Sequence, residues 1–259
     1  MGSAVLIKEE KRVAEVILNR PEVYNAMNYQ LVYELEKAFL ELSRKPELSA
    51  IILSGAGKAF SVGADLKYLQ SIIDDLGKLE EYIIQINRAF NSVEDCPIPV
   101  IAVVHGYALA GGFELMQASD IVIATEDACI GDQHANFWLI PGGGGTQRLP
   151  SLIGLYKAKE LLFTGRWLNG KEAEKMGIVS RAIPKEKLEM EVQKIVSNLL
   201  EKHPQTLRYM KQLVNYGFKA NVRANLEHEF SVFLRYIQSK PAREGINAFI
   251  EKRKPKMEG

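Results

Sequence analysis

The stretch His105-Gly106-Tyr107-Ala108-Leu109-Ala110-Gly111-Gly112-Phe113-Glu114-Leu115 follows a short apolar run, Pro99 to Val104. A buried strand, a glycine-bearing turn and a helix carrying one acid bring backbone N–H groups and a carboxylate to one place. Glycines at 111 and 112 free the chain to turn, and the first N–H groups of the helix point outward with the dipole behind them. Joined by an N–H from a second loop, they would form an oxyanion hole, each donor contributing roughly 3 kcal/mol to a developing negative charge. The same glycines would also serve close packing of helix on strand, and the stretch alone leaves both readings open.

Outward from this stretch, strands and helices alternate. Val13 to Leu18 reads as a strand, ended by Asn19-Arg20-Pro21. From Asn28 a helix follows, with Leu31, Leu35, Phe39 and Leu42 at helical spacing and Glu34, Lys37 and Glu41 facing elsewhere. Ser49 to Ser54, Val100 to Val104 and Ile121 to Ala124 are further short apolar strands, and Leu76 to Val93 is helical. This order predicts an α/β fold with mostly parallel pairing. After about Leu155 the pattern becomes helical: 158–163, 170–176, 185–200, 205–216 and 223–235, with one strand signal in Gly177 to Ile183. A soft boundary falls between Lys185 and Pro204. The basic end, Glu251 to Lys256, reads as a solvated tail.

Lys and Arg number 33 against 32 Asp and Glu, for a net charge of +1. That balance gives no electrostatic reason to expect a nucleic acid or an anionic membrane as partner. Cys96 and Cys129 are the only cysteines, so two buried thiols are expected rather than a disulfide framework or a cysteine metal site. The four histidines show no metal-ligand spacing. Met1 to Glu10 has no signal-like apolar stretch, and no run is long enough to span a membrane, so a soluble, cytoplasmic protein is expected.

Three further segments bear on chemistry. In Gly55-Ala56-Gly57-Lys58-Ala59-Phe60-Ser61-Val62-Gly63-Ala64-Asp65-Leu66, a strand end leads through a loop to a helix start at Asp65. Small residues at 63 and 64 would let a ligand approach the Ala64 N–H, though a plain surface turn reads equally well. Ile140-Pro141-Gly142-Gly143-Gly144-Gly145-Thr146-Gln147-Arg148-Leu149 lacks the Lys-Ser/Thr of a phosphate loop, and no Rossmann fingerprint is present. A turn that packs a helix closely against the active loop fits it better. Gly131-Asp132-Gln133-His134-Ala135-Asn136-Phe137 is polar and non-helical after a strand. His134 there is either an acid/base near neutral pH or a satisfied structural histidine. His105, His203 and His228 take the structural reading.

Taken together these segments resemble the crotonase, or enoyl-CoA hydratase/isomerase, superfamily over nearly the whole chain. The resemblance rests on Leu18-Asn19-Arg20-Pro21 with Asn25-Ala26-Met27, Ala59 to Leu66, Gly106 to Leu115, Ile140 to Leu149 and Phe249-Ile250-Glu251-Lys252-Arg253, in order and spacing. It implies a spiral of ββα units over residues 1–195 and a C-terminal helical region over 196–259 that makes trimers, often paired into hexamers. It implies an acyl-CoA thioester substrate, its carbonyl held between the N–H groups of Ala64 and Gly111, with coenzyme A as part of the substrate and no separate cofactor or metal. Val62, Ala64, Asp65, Leu66 and Lys67 would line the coenzyme, with Phe249 and Lys252 helping, commonly from a neighbouring subunit. Glu114 falls on the first catalytic glutamate of the hydratases.

Two positions depart from the family pattern. The second catalytic glutamate is expected at 134, where this chain has His134, and Ala110 stands where the family often has a third glycine. The implied activity is reversible syn hydration of a 2-enoyl-CoA, with Glu114 as main acid/base and His134 assisting. The substitution at 134 keeps isomerisation, decarboxylation and C–C cleavage as alternatives. A family hydratase that binds RNA has a lysine-rich first helix. Here Glu34, Glu36 and Glu41 against Lys37 and Arg44 leave no basic face, which argues against that role. Phe137 and Trp138 are bulky for their place in the pattern and are expected to crowd the acyl pocket.

Overall fold

A computed structural model of the chain describes residues 2–219 and 222–256, with side chains throughout except at 216–219, 222–229 and 241. His228 therefore lies outside the described side chains. In chain order the elements are β1 (Val5–Glu10), β2 (Val13–Leu18), α1 (Tyr29–Leu42), β3 (Ala50–Gly55), α2 (Leu66–Ile72), α3 (Leu76–Asp95), β4 (Val100–Val104), β5 (Tyr107–Leu109), α4 (Gly111–Gln117), β6 (Ile121–Thr125), β7 (Cys129–Gly131), α5 (Gly145–Ile153), α6 (Leu155–Thr164), α7 (Gly170–Met176), β8 (Arg181–Ile183), α8 (Leu188–Leu200), α9 (Pro204–Lys219), α10 (Val222–Ile237) and α11 (Lys240–Ile250). Single 3-10 turns occupy Pro21–Val23, His134–Phe137 and Lys185–Lys187.

Six strands form one sheet in the order β1-β2-β3-β4-β6-β8. Only β1 and β2 run antiparallel; the remaining pairs are parallel. Side chains alternate between faces. Ala14, Val16, Leu18, Ile51, Leu53, Val100, Ala102 and Val104 enter the large core under α1 and α3. Ile52, Ile101 and Ile123 enter a smaller one with Val192 and Val196 of α8. Burial on both faces is why the central strands read as continuous apolar runs. α1 starts where Asn28 caps it, its side chain accepting from the Leu31 N–H at 3.0 Å, and buries Leu31, Val32, Leu35, Ala38, Phe39 and Leu42.

The differences from the sequence reading have local causes. β1 is a sheet edge with one buried side chain, so it carries no strong alternation. β5 and β7 are three residues each, too short for a periodic signal. The 185–200 helix begins as a 3-10 turn and becomes α8 at Leu188. Cys96 is buried but Cys129 only half-buried, and both are free thiols.

Candidate active site

Beside the main sheet, β5 and β7 pair in parallel, with Ala108 opposite Ile130. Ser61 bridges Ala108 from the other side, also in parallel: the Ser61 N–H donates to Tyr107 O and the Leu109 N–H to Ser61 O, each at 3.0 Å. Three backbone rows thus run the same way and end on the same side, where parallel sheets hold their ligands. Just past the three ends stand Gly63 and Ala64, Gly111 with the helix of Glu114, and Asp132 with His134.

Ala64, Gly111, Glu114 and His134 line one pocket, whose apolar wall includes Leu69, Tyr82, Ile83, Ile86, Phe90 and Phe233. Its free volume is about 40 Å³. Phe137 and Trp138 do not line it, contrary to the crowding expected of them. The Phe137 ring meets Phe249 edge-on at 5.0 Å, and the Trp138 carbonyl accepts from the Tyr236 hydroxyl at 2.6 Å. The αL conformation of Trp138 ends the 3-10 turn and carries that segment away from the pocket. Burial pushes the Tyr82 phenol well above its ordinary pKa, so it stays a neutral donor, and it donates to Met27 O.

The Ala64 and Gly111 amides are neighbours: a Cβ built on Gly111 would lie 3.4 Å from Ala64 N. Gly111 opens α4, so its N–H has no carbonyl within the helix to bond. Among the described residues neither amide donates to another group. The residue before the helix, Ala110, is held at φ 50°, ψ −120°. An L-residue there costs about 1–3 kcal/mol. Ala110→Gly is therefore expected to stabilise the fold by about 1 kcal/mol, after the greater freedom of glycine in the unfolded chain is subtracted. A thermal melt would register this as a rise of a few degrees; an unchanged or lower Tm would contradict it.

Glu114 is 2% exposed. Its Oε1 accepts the N–H groups of Gly143 at 2.9 Å and Gly145 at 2.8 Å. This approach accounts for two of the four consecutive glycines; Gly142 lies against the Phe233 ring and Gly144 takes a left-handed φ of 104°. A Cβ on Gly143 would lie 2.9 Å from Glu114 Oε2, and one on Gly145 3.1 Å from Oε1. The loop is held from outside: Asn87 donates to Gly142 O at 2.9 Å and Arg148 to Gly143 O at 2.7 Å. Arg148, itself buried, is fixed by Glu94 and Asn91, each at 2.9 Å. The glycine run packs α5 close to the active loop, as its sequence suggests, but its amides also seat the Glu114 carboxylate, a role no local signal revealed.

His134 sits at the start of its 3-10 turn with 13% of its side chain exposed. Its Nδ1 lies 2.9 Å from Asp132 Oδ1, which also accepts the His134 backbone N–H at 3.1 Å. Sequence reasoning alone assigns Asp132 no role. The available signal was an acid two residues before the histidine in a segment with no helix to separate them.

The remaining predicted residues lie on the loop from β3 to α2, at the start of α2 and at the end of α11. Val62 donates its N–H to Tyr24 O at 3.2 Å. The Asp65 carboxylate is engaged within the protein: Oδ1 caps α2 through Lys67 N and Tyr68 N, and Oδ2 pairs with Arg20 at 3.0 Å. Leu66 is half-buried and Lys67 exposed at the start of α2. Phe249 is 41% exposed near the end of α11, and Lys252 follows in a left-handed turn. α11 lies on its own chain's α2 and 134–137 turn, with Gln70 to Asn247 at 3.1 Å and Arg243 to Asp74 at 2.7 Å. Phe249 thus meets the 134–137 turn of its own chain. The Arg253 guanidinium holds the Glu244 carboxyl down at about 2 and ties the end of the chain back to α11.

The sequence matches the enoyl-CoA hydratase/isomerase family profile over residues 8–259. It is 35% identical over 251 residues to a probable enoyl-CoA hydratase of Mycobacterium bovis, covering 97% of this chain and 96% of that one. It is 33% identical to a crotonyl-CoA hydratase of Syntrophomonas wolfei, covering 96% of each. The fold superposes on the crystal structure of an enoyl-CoA hydratase from Mycobacterium avium subsp. paratuberculosis with a TM-score of 0.90, 26% identity and 99% coverage of both chains.

Proposed function

The chain belongs to the enoyl-CoA hydratase/isomerase family, with its crotonase-like fold, and we propose that it catalyses the reversible syn addition of water to a short 2-enoyl-CoA. The convergence of two neighbouring backbone amides, a buried glutamate and a histidine on one pocket carries this reading. The Ala64 and Gly111 amides stabilise negative charge on the thioester oxygen, which makes the β-carbon electrophilic. Glu114, seated by two loop amides, takes a proton from the attacking water, and His134 serves the proton delivered to the α-carbon. The narrow space between the rings of Tyr82, Phe90 and Phe233 favours a short acyl chain. Val62, Ala64, Asp65, Leu66, Lys67, Phe249 and Lys252 are the coenzyme-binding set in this reading, residues 1–195 and 196–259 its core and oligomerisation regions.

The test is loss of the conjugated thioester absorbance with crotonyl-CoA, expected to be faster than with a ten-carbon enoyl-CoA. Equal or higher rates with the longer substrate would remove the chain-length part. The second reading is enolate chemistry without water addition, favoured by His134 standing where the hydratases have a second glutamate. No hydration of any enoyl-CoA, alongside turnover of a 3-enoyl or malonyl-type thioester, would establish it. The active protein is a trimer or a pair of trimers in this proposal. Tyr209, Met210, Leu213 and Val214 leave an apolar face of α9 exposed, which a second copy would cover. No described helix is long and apolar enough to cross a membrane.

A further inference from the structure

We propose that Asp132 is a positioning residue that works through His134: it holds the ring with its hydrogen on Nδ1, so that proton exchange falls to Nε2, and it supplies the negative charge that a second glutamate would have supplied. The proposal rests on the reading of Glu114 and His134 as the acid–base pair.

Asp132 is 1% exposed, and its Oδ1 takes both the backbone N–H and the Nδ1 of His134. A carboxylate only accepts hydrogen bonds, so Nδ1 carries the hydrogen and donates it. The backbone bond fixes where the aspartate sits relative to the turn, and the ring bond fixes how the imidazole is rotated. The ring's exchangeable site is then Nε2, on a side chain that lines the pocket of Glu114.

Packing alone does not account for the aspartate. Its Oδ2 is buried with no hydrogen-bond partner among the described residues. A buried carboxylate with unused acceptor capacity is costly, and such groups concentrate at functional sites. Oδ2 also faces toward the other acid. A Cβ on Gly145 would meet Asp132 Oδ2 at 3.4 Å and Glu114 Oε1 at 3.1 Å. Two carboxylates facing one glycine repel unless a proton or a cation lies among them. His134, bonded to one of them and sharing a pocket with the other, is the group that can carry that proton.

In hydration the proton count then closes within these three residues. As the water oxygen bonds to the β-carbon, Glu114 takes one water proton. The α-carbon takes the Nε2 proton of the His134 imidazolium, whose Nδ1–H stays on Asp132. Transfer of the proton from Glu114 to Nε2 restores the starting state, with one water added to the substrate.

The test combines side-chain ¹⁵N NMR of the histidines with kinetics of Asp132→Asn in the full-length protein. The His134 resonances, assigned by their loss in His134→Gln, are expected to report an Nδ1–H tautomer in the neutral ring. Asp132→Asn is expected to lower kcat for crotonyl-CoA hydration by about 10²-fold or more, with KM changed by less than about threefold and the tautomer signature lost. An Nε2–H tautomer in the unsubstituted protein overturns the proposal. So does an Asp132→Asn variant that is folded and keeps its kcat. Where that variant does not fold, the tautomer in the unsubstituted protein decides. A protein that hydrates no enoyl-CoA yet shows the Nδ1–H tautomer would remove the hydratase reading and leave the pair in place.

Discussion

Glu114→Gln is expected to lower kcat for hydration by about 10²- to 10⁴-fold while leaving the fold intact. The substitution keeps the shape of the side chain and removes its ability to take a proton. The bonds from the Gly143 and Gly145 amides survive it, because both donate to Oε1, and one amide oxygen can accept both. What is lost is the charge on that acceptor, so the stability cost is about 1 kcal/mol. Steady-state kinetics with crotonyl-CoA and a thermal melt, run on the same preparation, separate the two effects. Retained turnover would mean that another group takes the proton, and a large fall in Tm would mean that the glutamate serves the glycine loop first.

Gly112→Ala, two residues earlier, is expected to fail for the opposite reason. A Cβ there would lie 2.1 Å from Ser61 O, 2.7 Å from Ser61 C and 3.0 Å from Ser61 Cβ. The first two of these are backbone atoms, in the row that carries Ala64. No side chain can swing aside, so the rows carrying the two amides must part. The strain should cost about 3 kcal/mol or more in stability. Displacing one donor of the pair should reduce kcat by about 10²- to 10³-fold in whatever folded protein remains. The contrast with Ala110→Gly is informative: of two small-residue exchanges flanking Gly111, one relieves a strained turn and the other drives two backbones apart. A Gly112→Ala variant with unchanged Tm and kcat would show that the rows are not rigidly coupled.

The motifs around Gly111 and Ala64 were legible because each is a run of adjacent residues whose conformational demand is local. Asp65 caps the helix it begins, and Asn28 does the same for α1. The departure at His134 was legible by counting back from Ile140. The partner of that histidine was not, since an acid two residues away in an irregular segment makes a bond only if the turn brings it round. The role of Gly143 and Gly145 was not legible either. Their amides matter through Glu114, about thirty residues earlier, and nothing in the glycine run says which side chain it faces.

The sequence by itself determined the alternating strands and helices, the family and the glycine turn that precedes Glu114, because periodicity, caps and contiguous motifs act over a few residues. Only the tertiary structure decided that three short parallel rows end together, that a glycine loop seats the Glu114 carboxylate, that Asp132 bonds the ring and the backbone of His134, and that α11 packs on α2 and the 134–137 turn. Those arrangements are set by how distant segments pack, and packing depends on the whole core rather than on any one stretch of it.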